Sequence, residues 1–295
     1  MPIWEAILLG VVQGLTEFLP ISSTAHLLFV RQMLGHPHPD DAFTTVIQLG
    51  TLVAVLAYFR RDIGSLTLAV VRDVRQLTFA STPESRMAWL IVLGTIPVVV
   101  MGGLFKSWLK KTFYDLPTMA VVAIVFALLM AASEVWVKRR QLRAEPETGE
   151  TDLRWWQALV VGLWQVLALM PGASRSGTTI TGGLFAGLSR PAAARFSFLL
   201  SLPSVFGAGV KELYDEYKHF KHPDPDLPPS LFASSDDALS LAVGLIVSAI
   251  VGYIAIAWLL SFLRRYTLFA FVAYRLVLGV TILLLIASGF VKVGG

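Results

Sequence analysis

At 295 residues, 55% hydrophobic and only 15% charged, with a mean hydropathy of +0.68, the chain is too apolar for a water-soluble surface, which carries about 25% charged residues. This excludes an ordinary soluble enzyme and predicts an all-α polytopic membrane protein, with room for roughly six to eight spans of about 20 residues. The formal charge of +4 sits mostly in loop Lys and Arg, which suits orientation by positive loops and speaks against a nucleic-acid partner, while the absence of Cys excludes disulfides, thiolate nucleophiles and Cys-based metal sites.

Met1-Pro-Ile-Trp-Glu5 has no basic n-region, so no cleavable signal peptide is expected. Ile3 to Leu19 is apolar but carries Gln13 and Glu17, then meets Pro20 and a Ser-Ser-Thr turn. Leu27 to Leu34 is a second short apolar piece, ending before the loop at His36. Neither piece spans about 30 Å comfortably, so the two predict a re-entrant hairpin around a polar turn. Phe43 to Phe59 is a spanning candidate with Gln48, and a basic connector with Arg60, Arg61, Arg72, Arg75 and Arg86 follows. Met87 to Phe105 spans with a kink expected at Pro97, and Thr118 to Val137 spans after it. Glu134 reads as interfacial, and Gln48 as a packing or supporting group.

Lys138 to Arg154 is the most polar stretch and the natural midpoint. The pattern then recurs. Trp155 to Met170 and Ile180 to Leu188 flank a second polar turn, Pro171 to Thr179. Phe196 to Val210, Ser240 to Leu263 and Leu268 to Val291 span. A long acidic, Pro-rich loop lies between Lys211 and Asp237, and Arg275 reads as a snorkelling residue near a helix end. Gly10-Val-Val-Gln13 echoes Gly162-Leu-Trp-Gln165, and Pro20-Ile-Ser22-Ser23 echoes Pro171-Gly-Ala-Ser174. The expectation is one integral membrane domain over 1–295, with repeat one at 1–137, a connector at 138–154 and repeat two at 155–295. Each repeat is a re-entrant hairpin plus three transmembrane helices, and the odd number of crossings inverts the second repeat. The Arg-rich connectors share one side, which the positive-inside rule makes cytoplasmic; Lys106, Lys110 and Lys111 fall outside and count against it.

Polar groups at membrane depth mark sites by default. Gln13 and Glu17 are four residues apart and share a helix face. Ser22, Ser23, Thr24 and His26 follow on the turn, so this tip offers a carboxylate, an amide, hydroxyls and an imidazole for metal binding, attack and proton transfer. The second tip places Arg175 among Ser174, Ser176, Thr178 and Thr179, with Gly172 and Gly177 beside them. A guanidinium fork and helix-start N–H groups suit phosphate oxygens. Some of these hydroxyls can serve only helix packing, and Glu17 with Arg175 can form a structural ion pair. Together the tips read as phosphate-ester or pyrophosphate chemistry on a lipid-borne substrate.

Gln13-Gly-Leu-Thr-Glu-Phe-Leu-Pro-Ile-Ser-Ser-Thr-Ala-His26 and Pro171-Gly-Ala-Ser-Arg-Ser-Gly-Thr-Thr179 resemble the two signature motifs of the bacterial undecaprenyl-diphosphate phosphatases, also called bacitracin-resistance proteins. Val46-Ile-Gln-Leu-Gly50, Phe196-Ser-Phe-Leu-Leu200 and Tyr274-Arg275 extend the resemblance over nearly the whole chain. It implies hydrolysis of undecaprenyl diphosphate to undecaprenyl phosphate and inorganic phosphate, recycling the lipid carrier for cell-wall polymers, with bacitracin resistance as a consequence. It implies a divalent metal, magnesium or calcium, held by Glu17 and Gln13, with Glu17, Ser23, His26 and Arg175 catalytic. Ser22, Thr24, Ser174, Ser176, Thr178, Thr179 and Arg175 would bind the polyprenyl diphosphate. The expected setting is the bacterial inner membrane among its lipids, with the site opening to the periplasm, and a homodimer is kept open. Two departures stand out. Gln13 replaces a common Glu, leaving Glu17 as the anionic group, and Thr44 stands where a carboxylate is common. A transporter or flippase would share the repeats and a midplane site. The type 2 phosphatidic acid phosphatases are a poor match, because their Lys-x6-Arg-Pro element is missing.

Overall fold

The computed structural model describes residues 1–35, 42–113, 115–222, 231–232 and 234–289, apart from the side chains of residues 106, 107, 110 and 111. The loop at His36, the side chains of Lys106, Lys110 and Lys111, Asp224 and Asp226 of the acidic loop, and Val291 lie outside the described residues. Twelve α-helices are present among them: α1 (Ile3–Phe18), α2 (Ser23–Met33), α3 (Ala42–Val46), α4 (Gln48–Tyr58), α5 (Arg60–Gln76), α6 (Pro83–Phe113), α7 (Leu116–Leu142), α8 (Trp155–Leu167), α9 (Arg175–Phe185), α10 (Arg190–Lys221), α11 (Ser235–Leu263) and α12 (Phe269–Ala287). The described residues hold no strand, only a single bridge between Thr148 and Leu188. α7, α10, α11, α12 and the 83–105 part of α6 are long and apolar enough to cross a membrane. The chain is therefore an all-α multi-pass membrane protein.

Three expectations change. The span at Phe43 to Phe59 is broken at Ile47, and α3–α4 then bends by 74° into α5. The basic connector after Phe59 is thus a helix. α5 exposes Leu68, Val71 and Val74 as well as Arg60, Arg61, Arg72 and Arg75, the composition of a helix that lies in the membrane interface. Glu134 is not interfacial. It is buried, accepts from Arg190 Nε at 3.0 Å and from the Leu268 backbone N–H at 2.8 Å, and so ties α7 to the starts of α10 and α12.

Packing recurs between the halves. α1 lies against α11 as α8 lies against α6, and α4 with α10 and α7 with α12 join corresponding elements. The closest approaches correspond too. A Cβ added at Gly10 would stand 2.8 Å from the Gly244 carbonyl oxygen, and one added at Gly162 would stand 2.3 Å from that of Gly94. Only glycine permits this backbone contact, the small-residue packing typical of membrane helices. The midpoint is pinned rather than loose. The Thr148 N–H donates to Gly187 O at 2.9 Å, the Ser189 N–H donates to Thr148 O at 3.0 Å, and Arg140 pairs with Glu145 at 2.8 Å.

Candidate active site

Each polar turn joins a helix that stops short to another that starts late. α1 ends at Phe18 and α2 begins at Ser23; α8 ends at Leu167 and α9 begins at Arg175. The residue before each second helix is a serine in the left-handed region, Ser22 at φ 75° and Ser174 at φ 70°. Such backbone costs about 1–3 kcal/mol at a non-glycine residue and concentrates at functional turns. The two strained serines align Ser22 with Ser174, one residue away from the register that Pro20 and Pro171 suggest. Ser23 and Arg175 then become equivalent, each the first residue of a half-helix.

Arg275 holds both turns. It does not snorkel: it is fully buried, donating from Nη1 to Pro20 O (3.2 Å) and Ala173 O (3.0 Å), from Nη2 to Gly172 O (2.9 Å) and from Nε to Ala123 O (3.2 Å). A buried guanidinium is tolerated only when its donors are satisfied, and four carbonyls do this. Gly172 makes the approach feasible. Its φ is +92°, and a Cβ there would meet the Met119 carbonyl oxygen at 2.4 Å.

With the tips so placed, the ionisable groups of both meet. Arg175 Nη2 lies 2.9 Å from Glu17 Oε1. Glu17 Oε2 accepts from Ser23 Oγ at 2.8 Å and from Gln13 Nε2 at 3.1 Å. One carboxylate thus gathers a hydroxyl, an amide and a guanidinium drawn from both hairpins. Two polar atoms here are buried without a partner, Arg175 Nη1 and Gln13 Oε1. Glu17, Ser23 and Arg175 line a cavity of about 480 Å³, the size of a small-ligand site. Lys211 and Glu212 of α10 also line it. α10 starts at the pinned connector, where Arg195 pairs with Glu150 at 3.1 Å, so the cavity reaches toward the end of the molecule away from that connector.

Residues 6–281 match the family model described as bacitracin resistance protein BacA. The chain belongs to this family. A relative named undecaprenyl-diphosphatase, from Prosthecochloris aestuarii, is 46% identical over 292 residues, covering 99% of this chain and 100% of the relative. Relatives of the same name from Chlorobium phaeobacteroides (47% over 292 residues, 99% and 100% covered) and Chloroherpeton thalassium (46% over 289 residues, 98% and 98% covered) are similar along their full length.

The residues expected from the two BacA-type motifs take several positions. Glu17, Ser22, Ser23, Thr24, Ser174 and Arg175 line the cavity. Gln13 is fully buried behind Glu17. Ser176, Thr178 and Thr179 are buried outside the cavity lining. Ser176 Oγ donates to Leu19 O at 3.0 Å, and Thr178 and Thr179 bond back to Arg175 O at 2.9 and 2.7 Å. These bonds join the hairpins and shape the start of α9. His26 does not line the cavity either. Its Nδ1 faces the Ser22 carbonyl at 2.6 Å, which can only accept, so Nδ1 carries hydrogen; its Nε2 meets the Tyr274 hydroxyl at 2.6 Å. Gln48, Gln165 and Ser204 line the cavity without having been singled out as ligands. Gln165 carried a signal, since it repeats Gln13, and its Oε1 is likewise buried without a partner.

Proposed function

We propose that the chain hydrolyses undecaprenyl diphosphate to undecaprenyl phosphate and inorganic phosphate, recycling the lipid carrier of cell-wall polymer synthesis. The observation that carries this reading is the meeting of Ser23, Glu17 and Arg175 at one cavity, in a chain whose full-length relatives bear that enzyme's name. Arg175 binds the diphosphate. Its free Nη1 and its Glu17-paired Nη2 form the planar fork that phosphate oxygens match. Ser23 Oγ attacks the terminal phosphorus and passes its proton to Glu17 Oε2, to which it already donates. The bond from the terminal phosphorus to the bridging oxygen breaks, and that oxygen leaves on undecaprenyl phosphate. Glu17 gives up the proton it took from Ser23 to that departing phosphate; water then attacks the phosphoserine and passes one proton to Glu17, which hands it to the Ser23 oxygen as inorganic phosphate departs. His26 and Tyr274 brace the Ser22 carbonyl beside the nucleophile.

A divalent ion fits this donor set. Gln13 Oε1 is buried with no partner next to the Glu17 carboxylate, and among the described residues no group of three His, Cys, Asp or Glu could hold a metal by itself. One carboxylate and one amide oxygen completed by substrate phosphates is the usual manner of magnesium. Bound there, the ion supplies charge neutralisation of the phosphoryl group. For location, we assign the multi-pass chain to the bacterial inner membrane with the Lys138–Arg154 connector in the cytoplasm, supported by its Arg-rich face. The cavity, which reaches away from the connector, then opens to the periplasm.

Phosphate release from undecaprenyl diphosphate by the purified chain, with and without a chelator, tests the reading. Activity lost with chelator and restored by magnesium or calcium is expected. Arg175→Lys keeps the charge but loses the fork, and should lower kcat/KM about 10²-fold or more. A well-folded wild type that releases no phosphate from this lipid rejects the assignment.

A further inference from the structure

The two corresponding helix pairs, α1/α11 and α6/α8, finish differently at their N-terminal ends. Where α1 and α11 begin, the Met1 ammonium lies 2.6 Å from Asp237 and the Ser240 hydroxyl donates to Met1 O at 2.8 Å. That end is closed by an ion pair. α6 and α8 run parallel from ends that lie together, since Arg86 Nη2 donates to Leu153 O at 2.7 Å just before α8. They touch at Gly94 and Gly162. Toward their N-termini they enclose a groove of about 720 Å³ instead of a seal.

The groove is apolar along its length and cationic at its end. Leu93 and Ile96 of α6 form the wall, Trp89 and Trp155 the upper sides, and Arg86 and Arg154 the rim. No carboxylate lines it among the described residues, and neither arginine has an ion-pair partner among them. The Trp89 indole N–H is buried and without a partner. Val92 and Ile96 remain 49% and 53% exposed on a helix long enough to cross the membrane, so the groove is open sideways to hydrocarbon. Phe79, 72% exposed on the turn from the interfacial helix α5, closes over its mouth. Tryptophan and arginine at this height mark the headgroup level.

We propose that this groove is a binding site for one anionic phospholipid of the surrounding leaflet. Its phosphate sits between Arg86 and Arg154, an ester or phosphate oxygen accepts from Trp89 Nε1, and an acyl chain lies along Leu93 and Ile96. Glu145, Glu147 and Asp152 border the far side of Arg154, in the neighbouring connector cavity, and none lines the groove. Two unpaired cations on the groove side distinguish an anionic lipid from a zwitterionic one, whose own ammonium offsets its phosphate. The leaflet supplies such a ligand laterally, through the side of the groove that faces it.

Native mass spectrometry of the full chain in detergent, with equal phosphatidylglycerol and phosphatidylcholine of matched acyl chains, reads this preference. Wild type is expected to retain phosphatidylglycerol about ten-fold or more over phosphatidylcholine, the order that two interfacial arginines supply. Arg86→Gln with Arg154→Gln should remove most of that preference, and Trp89→Phe should weaken retention while leaving the ring in place. Arg86 also bonds Leu153, so Arg154→Gln alone decides if the double variant misfolds; its preference should fall about three-fold or more. Equal retention of both lipids by wild type, or an undiminished preference in Arg154→Gln, overturns the proposal. So does polyprenyl phosphate displacing phosphatidylglycerol at equal concentration, which would make the groove a carrier-lipid site.

Discussion

The α1–α2 and α8–α9 hairpins share a backbone turn and, in the mechanism proposed above, divide the chemistry. Gln13 and Gln165 occupy corresponding places beside the glycines of closest approach, and Ser22 and Ser174 carry the same left-handed turn. Four residues beyond each glutamine, one hairpin has Glu17 and the other Leu169; at the first residue of each half-helix, one has Ser23 and the other Arg175. Two similar turns thus present unlike side chains to one point: a carboxylate and hydroxyl from one side, a guanidinium from the other. The serines differ as well. Ser174 Oγ accepts from the Gly177 N–H at 3.2 Å and so caps α9, whereas Ser22 makes no side-chain cap on α2. The α8–α9 turn is thus capped by its own serine, while Ser22, Ser23 and Thr24 of the α1–α2 turn line the cavity.

The comparison can be broken where the halves are joined. Arg275→Met fills similar space but deletes four hydrogen bonds, leaving the Pro20, Gly172 and Ala173 carbonyls of the two turns without this donor. It should destabilise by about 3–5 kcal/mol and lower kcat more than it weakens lipid binding, as thermal unfolding in detergent and turnover would show. A smaller effect is expected from the helix contacts. Gly162→Ala forces a methyl to 2.3 Å from Gly94 O, whereas Gly10→Ala meets Gly244 O at 2.8 Å. Both should destabilise by about 1–3 kcal/mol, Gly162→Ala the more; equal stability of the two variants would contradict the closer approach of α8 to α6 than of α1 to α11. Smallest is Tyr274→Phe, which removes one hydrogen bond to His26 and keeps the stacked ring. It should cost about 1 kcal/mol and slow turnover only a few-fold, with the substrate concentration dependence unchanged.

Much of this was legible in the residues. Apolar runs of membrane length gave the spans, and polar groups interrupting such runs gave Glu17, Ser23 and Arg175, which the fold brings together. What pattern could not show is direction. Ser176, Thr178 and Thr179 share a motif with Arg175, yet helical geometry turns their hydroxyls to Leu19 O and Arg175 O. Arg275 stands six residues into α12, where a long side chain can reach an interface. It points inward because the unpaired carbonyls of two distant turns converge there. Glu134 misled for the same reason, its partner Arg190 lying 56 residues away. α5 was hidden because its alternating charged and apolar residues read as a connector until the bend after α4 laid it flat.

In the proposed mechanism one hairpin attacks and the other captures phosphate. Ser23→Ala, assayed side by side for turnover and for equilibrium binding of undecaprenyl diphosphate, tests it most directly. Turnover is expected to fall about 10³-fold or more, while binding stays within about three-fold of wild type, because Arg175 and its free Nη1 are untouched. Turnover near the wild-type rate, or binding lost as severely as in Arg175→Lys, would contradict it.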